Sequence, residues 1–169
     1  MPQLPDYVAA SAVYIALGPP VTFDPSRSTP AGYWHLAAQY FHAAQAVSST
    51  QRNLMFPALQ LYGQSLELAL KAFLLKRGAT LSEVNGMRHR LAEILKDARR
   101  RRLGTQVKLS KNDIALINLL SQNYESHRFR YIVTGFMQVP DTAYIARVCK
   151  TVLVGLEKYC TGSEWGLHR

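Results

Sequence analysis

Acidic residues are scarce in this chain. Eleven Asp and Glu stand against twenty Lys and Arg, a net charge of +9 over 169 residues. A deficit of that size turns the molecular field toward anionic partners. Cysteine is scarcer still: Cys149 and Cys160 are the only two, and they fall on one expected helix, about 16 Å apart at 1.5 Å per residue. That separation excludes a disulfide between them within the chain. With no CxxC and no mixed Cys/His cluster, a structural zinc site is excluded too, and two reduced, buried thiols are expected. No P-loop and no GxGxxG after a strand is present, which removes phosphate cradling by glycines. His35 and His42, at i and i+7, stand about 10 Å apart along a helix, too far for a metal clip of two ligands. Neither a metal nor a cofactor is expected. Ser65 and Ser110 lack any identifiable His/Asp partners.

Long apolar runs are also missing. The stretch 7–17, YVAASAVYIAL, is too short to span a bilayer, and Asp6 precedes it where a secretory leader would carry Lys or Arg. A short helix or strand packed on the rest of the chain is expected there, in a soluble, cytoplasmic protein without a membrane partner.

What the chain does have is a packed-domain composition, 48% apolar, in one domain that buries roughly 70% of its unfolded surface. Three parts are expected: an N-terminal segment and Pro-rich connection over 1–32, a helical bundle over 33–160, and a tail over 161–169. Pro19, Pro20, Pro25 and Pro30 make the connection a surface path. Helical periodicity then marks 33–47, 57–77 with Gly78 as its stop, 89–102, a segment opened by Ser110 and Asp113, and a last helix from Asp141 to about Tyr159. Thr80–Glu83 has capping-box spacing and opens one short turn. The region 123–135 reads equally as helix, strand or coil. The fold class that follows is all-α: an up-and-down bundle of four to five helices. Tyr33, Trp34, Tyr40 and Phe41 read as core or dimer interface in preference to a base-stacking platform.

The 56–78 stretch is the most informative. Leu59, Leu66, Leu70, Phe73 and Leu74 form its buried stripe, and Glu67 and Lys71 sit one turn apart among them in the favourable order for an ion pair. A carboxylate flanked by Leu66, Leu68 and Leu70 is at least partly buried and needs a partner. A polar cluster inside the bundle is therefore expected.

The positive charge is concentrated between Met87 and Lys111, where nine basic residues face only Glu93 and Asp97. Two readings stand. One is a solvated helix end whose cations complement the helix dipole. The other is a polyanion surface, with Lys96, Arg99, Arg100, Arg101, Arg102 and Lys108 as nucleic-acid contacts.

Three elements stand in order: Glu67-Leu-Ala-Leu70-Lys71-Ala72, then His89-Arg-Leu91-Ala-Glu-Ile-Leu95, then Tyr124-Glu-Ser-His-Arg-Phe-Arg130-Tyr131. In that order and spacing they resemble the HEPN (higher eukaryote and prokaryote nucleotide-binding) domain family over roughly residues 33–160. The resemblance implies a HEPN-like bundle, a homodimer, and a role in handling RNA or nucleotide, often beside toxin–antitoxin systems and with a partner such as a nucleotidyltransferase. It groups Glu67, Lys71, His89, Arg130 and Tyr131 as one polar cluster, in which the Arg130 guanidinium is placed to meet Glu67. His89, at a helix N-terminus, is expected to stay neutral. The cluster either locks helices in register or forms a site. Nuclease members of the family carry an Arg followed, after four to six residues, by a His. None of the five histidines here follows an Arg at that distance. The expectation is a non-catalytic RNA- or nucleotide-binding accessory protein. The alternatives are a dimeric interaction module and a divergent ribonuclease using His127, Arg128 or Arg130.

Overall fold

The structure, a computed structural model, describes residues 28–50, 54–131 and 135–163. The element expected at 7–17, the connection up to residue 27 and residues 164–169 of the tail lie outside the described residues. Within them are six α-helices, one 3-10 turn and no strand: α1 (Pro30–Thr50), α2 (Met55–Lys76), α3 (Leu81–Gly86), α4 (Leu91–Arg100), the turn Leu103–Thr105, α5 (Lys111–Glu125) and α6 (Thr142–Thr161). Among the described residues no helix is long and apolar enough to cross a membrane.

Helix α1 begins earlier than its periodicity suggests. Pro30, read from sequence as part of the connection, is the first helical residue, where its missing N–H costs nothing. Thr29 closes that end: its carbonyl accepts from the Tyr33 amide at 3.0 Å and its hydroxyl from the Gly32 amide at 3.1 Å. The expected 89–102 helix is shorter, Leu91–Arg100, because Arg88 adopts a left-handed backbone (φ 47°) and leaves His89 in a turn before α4. The ambiguous 123–135 stretch is helix as far as Glu125, then hydrogen-bonded turns through Arg130.

Helix α2 is the centre of the bundle. Every residue from Ser65 to Leu74 is buried, so the helix is enclosed on all sides and not along one stripe. Helix α1 packs antiparallel to it, with the Ser65 hydroxyl on the Ala37 carbonyl at 2.9 Å and Tyr62 against Phe41. Helix α6 runs parallel to α2, pairing Cys149 with the Tyr62 carbonyl and Phe73 with Tyr159. Trp34 ties α1 to α6 by donating its indole N–H to the Leu153 carbonyl at 3.0 Å. Helices α4 and α5 cover the remaining flank of α2. Helix α2 ends at a Schellman motif, with the Gly78 amide on the Leu75 carbonyl and the Ala79 amide on Leu74, as the positive φ of Gly78 allows. Both thiols are buried and free. Burial pushes Cys160 up to about 12 and Cys149 well above its ordinary value, which disfavours the thiolate of each.

Candidate functional site

Glu67 is 2% exposed, and both of its carboxylate oxygens are used. Oε1 accepts from Lys71 Nζ at 2.7 Å, the i,i+4 partner on the same helix. Oε2 accepts from the Tyr124 hydroxyl at 2.6 Å and lies 3.0 Å from His89 Nδ1. That last contact requires a proton on Nδ1. Three donors from three elements thus answer one buried charge, the condition for tolerating it.

Each partner is itself held. Lys71 gives a second hydrogen bond, 2.7 Å, to the carbonyl of Arg88, and so grips the left-handed turn that presents His89. Tyr124 reaches Glu67 because Gly63 has no side chain. A Cβ there would lie 2.5 Å from Tyr124 Cδ2, so the ring rests directly on the α2 backbone one turn before the carboxylate. Burial first, and then the charge of Glu67, push the Tyr124 phenol well above its ordinary value, so it remains a donor. Gln64 Oε1 is 2.7 Å from the same hydroxyl. A phenol with one proton gives it to the carboxylate, and the flipped Gln64 amide can then donate to the phenolic oxygen.

A second imidazole stands beside the cluster. The ring centroids of His89 and His127 are 6.0 Å apart. His127 sits at φ 58°, and its buried Nδ1 finds no hydrogen-bond partner among the described residues. Among the described residues Arg88 and His127 are two of three non-glycine residues with positive φ, one preceding His89 and the other bringing its ring against it. Such conformations cost about 1–3 kcal/mol each and persist where surrounding contacts enforce them.

Of the five residues grouped by sequence, Glu67, Lys71 and His89 come together. Arg130 does not pair with Glu67: it is exposed, with no hydrogen bond or ion pair to the carboxylate, and acts only at a distance by favouring the phenolate of Tyr124. Tyr131 is 71% exposed and outside the cluster. Tyr124, which opens the third motif element in the sequence but is not grouped with the cluster there, is the strongest additional member. Ser121 and Glu125 were also missed. They reach from α5 to cap the α4 N-terminus through the Ala92 amide, at 2.9 and 3.2 Å, and supply the cap that Arg90 does not.

The basic run divides by pairing, into cations that meet a carboxylate and cations that do not. Asp97, 8% exposed, pairs with Arg100 and, at 3.1 Å, with Arg101, which also lies 3.6 Å from Glu83; Arg90 pairs with Glu93 at 2.9 Å. These groups, together with Lys96, line a cleft of about 570 Å3 that mixes cations and carboxylates. Lys96, Arg99, Arg102 and Lys108 are exposed and have no acidic partner among the described residues. Arg99 turns away from the Asp97 side and lines a smaller cleft, about 220 Å3, with Leu103, Val107 and Ile114. Among the described residues no group of three His, Cys, Asp or Glu side chains could hold a metal ion.

No protein-family model, curated protein or solved structure matches the chain.

Proposed function

We propose that this is a HEPN-like protein that binds RNA or nucleotide as a non-catalytic accessory. The observation that carries the reading is the division of the basic run. Carboxylates neutralise Arg90, Arg100 and Arg101, whereas Lys96, Arg99, Arg102 and Lys108 keep their charge toward solvent. Cations without internal partners are the ones that can release counterions on meeting a phosphate backbone. The test is fluorescence anisotropy with a short RNA over a salt titration. Arg99→Glu/Arg102→Glu should weaken binding strongly and flatten its salt dependence. Binding equal to wild type would overturn the proposal. A homodimer, and pairing with an enzyme such as a nucleotidyltransferase, follow from the HEPN resemblance alone; sedimentation of the purified chain tests the first.

A second reading, phosphodiester cleavage, is favoured by one arrangement. A buried carboxylate fixes His89 through Nδ1, which leaves Nε2 as the ring's other nitrogen, and His127 stands beside it as a second proton-transfer group. If RNA incubated with the protein is cut, and His89→Ala abolishes cutting while the fold survives, this reading replaces the first.

A further inference from the structure

The segment joining α4 to α5 crosses α6 at Gly155. A Cβ on that glycine would lie 2.8 Å from Val107 Cγ2 and 3.0 Å from the Gln106 carbonyl oxygen, so the segment rests on the helix backbone itself. The crossing has a cleft on either side. One is the Arg99 cleft already described. The other is a groove of about 440 Å3 whose floor includes Val107, Val154 and Gly155 and whose rim carries Lys108, Arg147 and Lys150.

The rim is cationic in a structured way. Lys108 and Lys150 are exposed and have no acidic partner among the described residues. Arg147 is different: its Nη2 is held at 2.8 Å by Asp113 Oδ1, while the other oxygen of Asp113 accepts from the Ser110 amide and hydroxyl. Its guanidinium is thereby fixed in place, yet the side chain remains 56% exposed and has further N–H groups to offer. Arg147, Lys150 and Val154 recur at helical spacing, so they share one face of α6. Val107 lines both clefts, so they adjoin there, and Arg99, Lys108 and Lys150, three exposed cations with no acidic partner among the described residues, stand around the pair. That is more than one phosphate group needs, and it suits successive phosphates of a chain.

We infer that this groove binds the phosphodiester backbone of an RNA strand, with Lys108 and Lys150 contacting phosphates while Arg147 stays paired with Asp113 at the rim. The inference rests on the RNA-binding reading and extends it to α6, outside the basic run. The half-buried Val154 and Gly155 of the floor take the sugar faces of the strand, and the rim takes its charge.

The experiment compares wild type, Lys150→Gln, Lys108→Gln/Lys150→Gln and Arg99→Glu/Arg102→Glu for binding a labelled oligouridylate across salt concentrations, with melting curves to check folding. The lysines are exposed, so the glutamine variants should melt as wild type does. Binding should weaken several-fold in Lys150→Gln and further in the double variant. The slope of log K against log salt should fall by about 0.7 for each lost contact. If wild type binds and the arginine variant weakens binding while both glutamine variants match wild type, the groove is not the track and only the α4 face survives. If wild type does not bind at low salt, both this inference and the reading beneath it fail. Lysine-dependent binding of a phosphopeptide or of anionic vesicles, without binding of RNA, would overturn the RNA occupant.

Discussion

Tyr124 touches Glu67 only because Gly63 lets it lie flat on α2: the ring is seated where a methyl group would be, and the hydroxyl meets Oε2 at 2.6 Å. Tyr124→Phe should keep the packing but leave the carboxylate one donor short. The expected loss is about 1.5–3 kcal/mol, the range for hydrogen bonds to charged groups, read from urea unfolding. Gly63→Ala gains helix propensity, worth about 1 kcal/mol, yet sets a Cβ against the ring. It should be destabilising despite that gain, and a net stabilisation would show that the ring can move aside.

The Glu67–Lys71 pair is buried at both ends. Lys71→Met alone leaves a buried carboxylate short of its cation and also frees the Arg88 carbonyl, so a loss of about 3–5 kcal/mol is expected. Glu67→Gln/Lys71→Met should be less damaging than the sum of its two single changes, because neither charge is then stranded. A double-mutant cycle in urea measures that coupling.

Acid should weaken the α5 N-terminus. Burial opposes ionisation of Asp113, but the Ser110 amide and hydroxyl and the Arg147 guanidinium outweigh it and hold the carboxyl below its ordinary value of 3.8. A folded-state value below the unfolded one means that the stabilisation is present above about pH 4 and is lost as pH falls through the folded value. Wild type should therefore lose stability more steeply than Asp113→Asn between pH 5 and pH 3, read as urea midpoints at each pH. Parallel profiles would remove Asp113 as a source of the acid sensitivity.

Gly155→Ala should destabilise by about 1–3 kcal/mol, because the added methyl meets both a side chain and a backbone oxygen of the crossing segment. Gly104→Ala is the control. Nothing lies within 4 Å of its Cβ position and its φ is ordinary, so it should be neutral or slightly stabilising by thermal melting.

Much of the scaffold is readable from the chain because it is local. Apolar spacing of three and four marks α2 and α6, and the Thr80–Glu83 and Ser110–Asp113 pairs each form the two reciprocal bonds of a capping box. The Glu67–Lys71 contact is legible for the same reason: both residues lie on one helix, one turn apart. What escapes is long-range. Nothing near Tyr124 in sequence announces Glu67, 57 residues away, and the Ser121–Glu125 cap serves a helix on another part of the chain. The run Arg99–Arg102 reads as uniform charge until Asp97 takes two of its members. The motif places Arg130 near Glu67, but Tyr124 and His89 occupy Oε2 of that carboxylate and Lys71 occupies Oε1.

The enclosure of α2 bears on how the molecule opens. Helices α1, α4, α5 and α6 all rest on it, so each outer helix loses a packing surface once the central one is lost, whatever it keeps against its outer neighbours. Amide protons from Tyr62 to Leu74 should then exchange with deuterium only when the whole bundle unfolds, and their protection factors should report its global free energy.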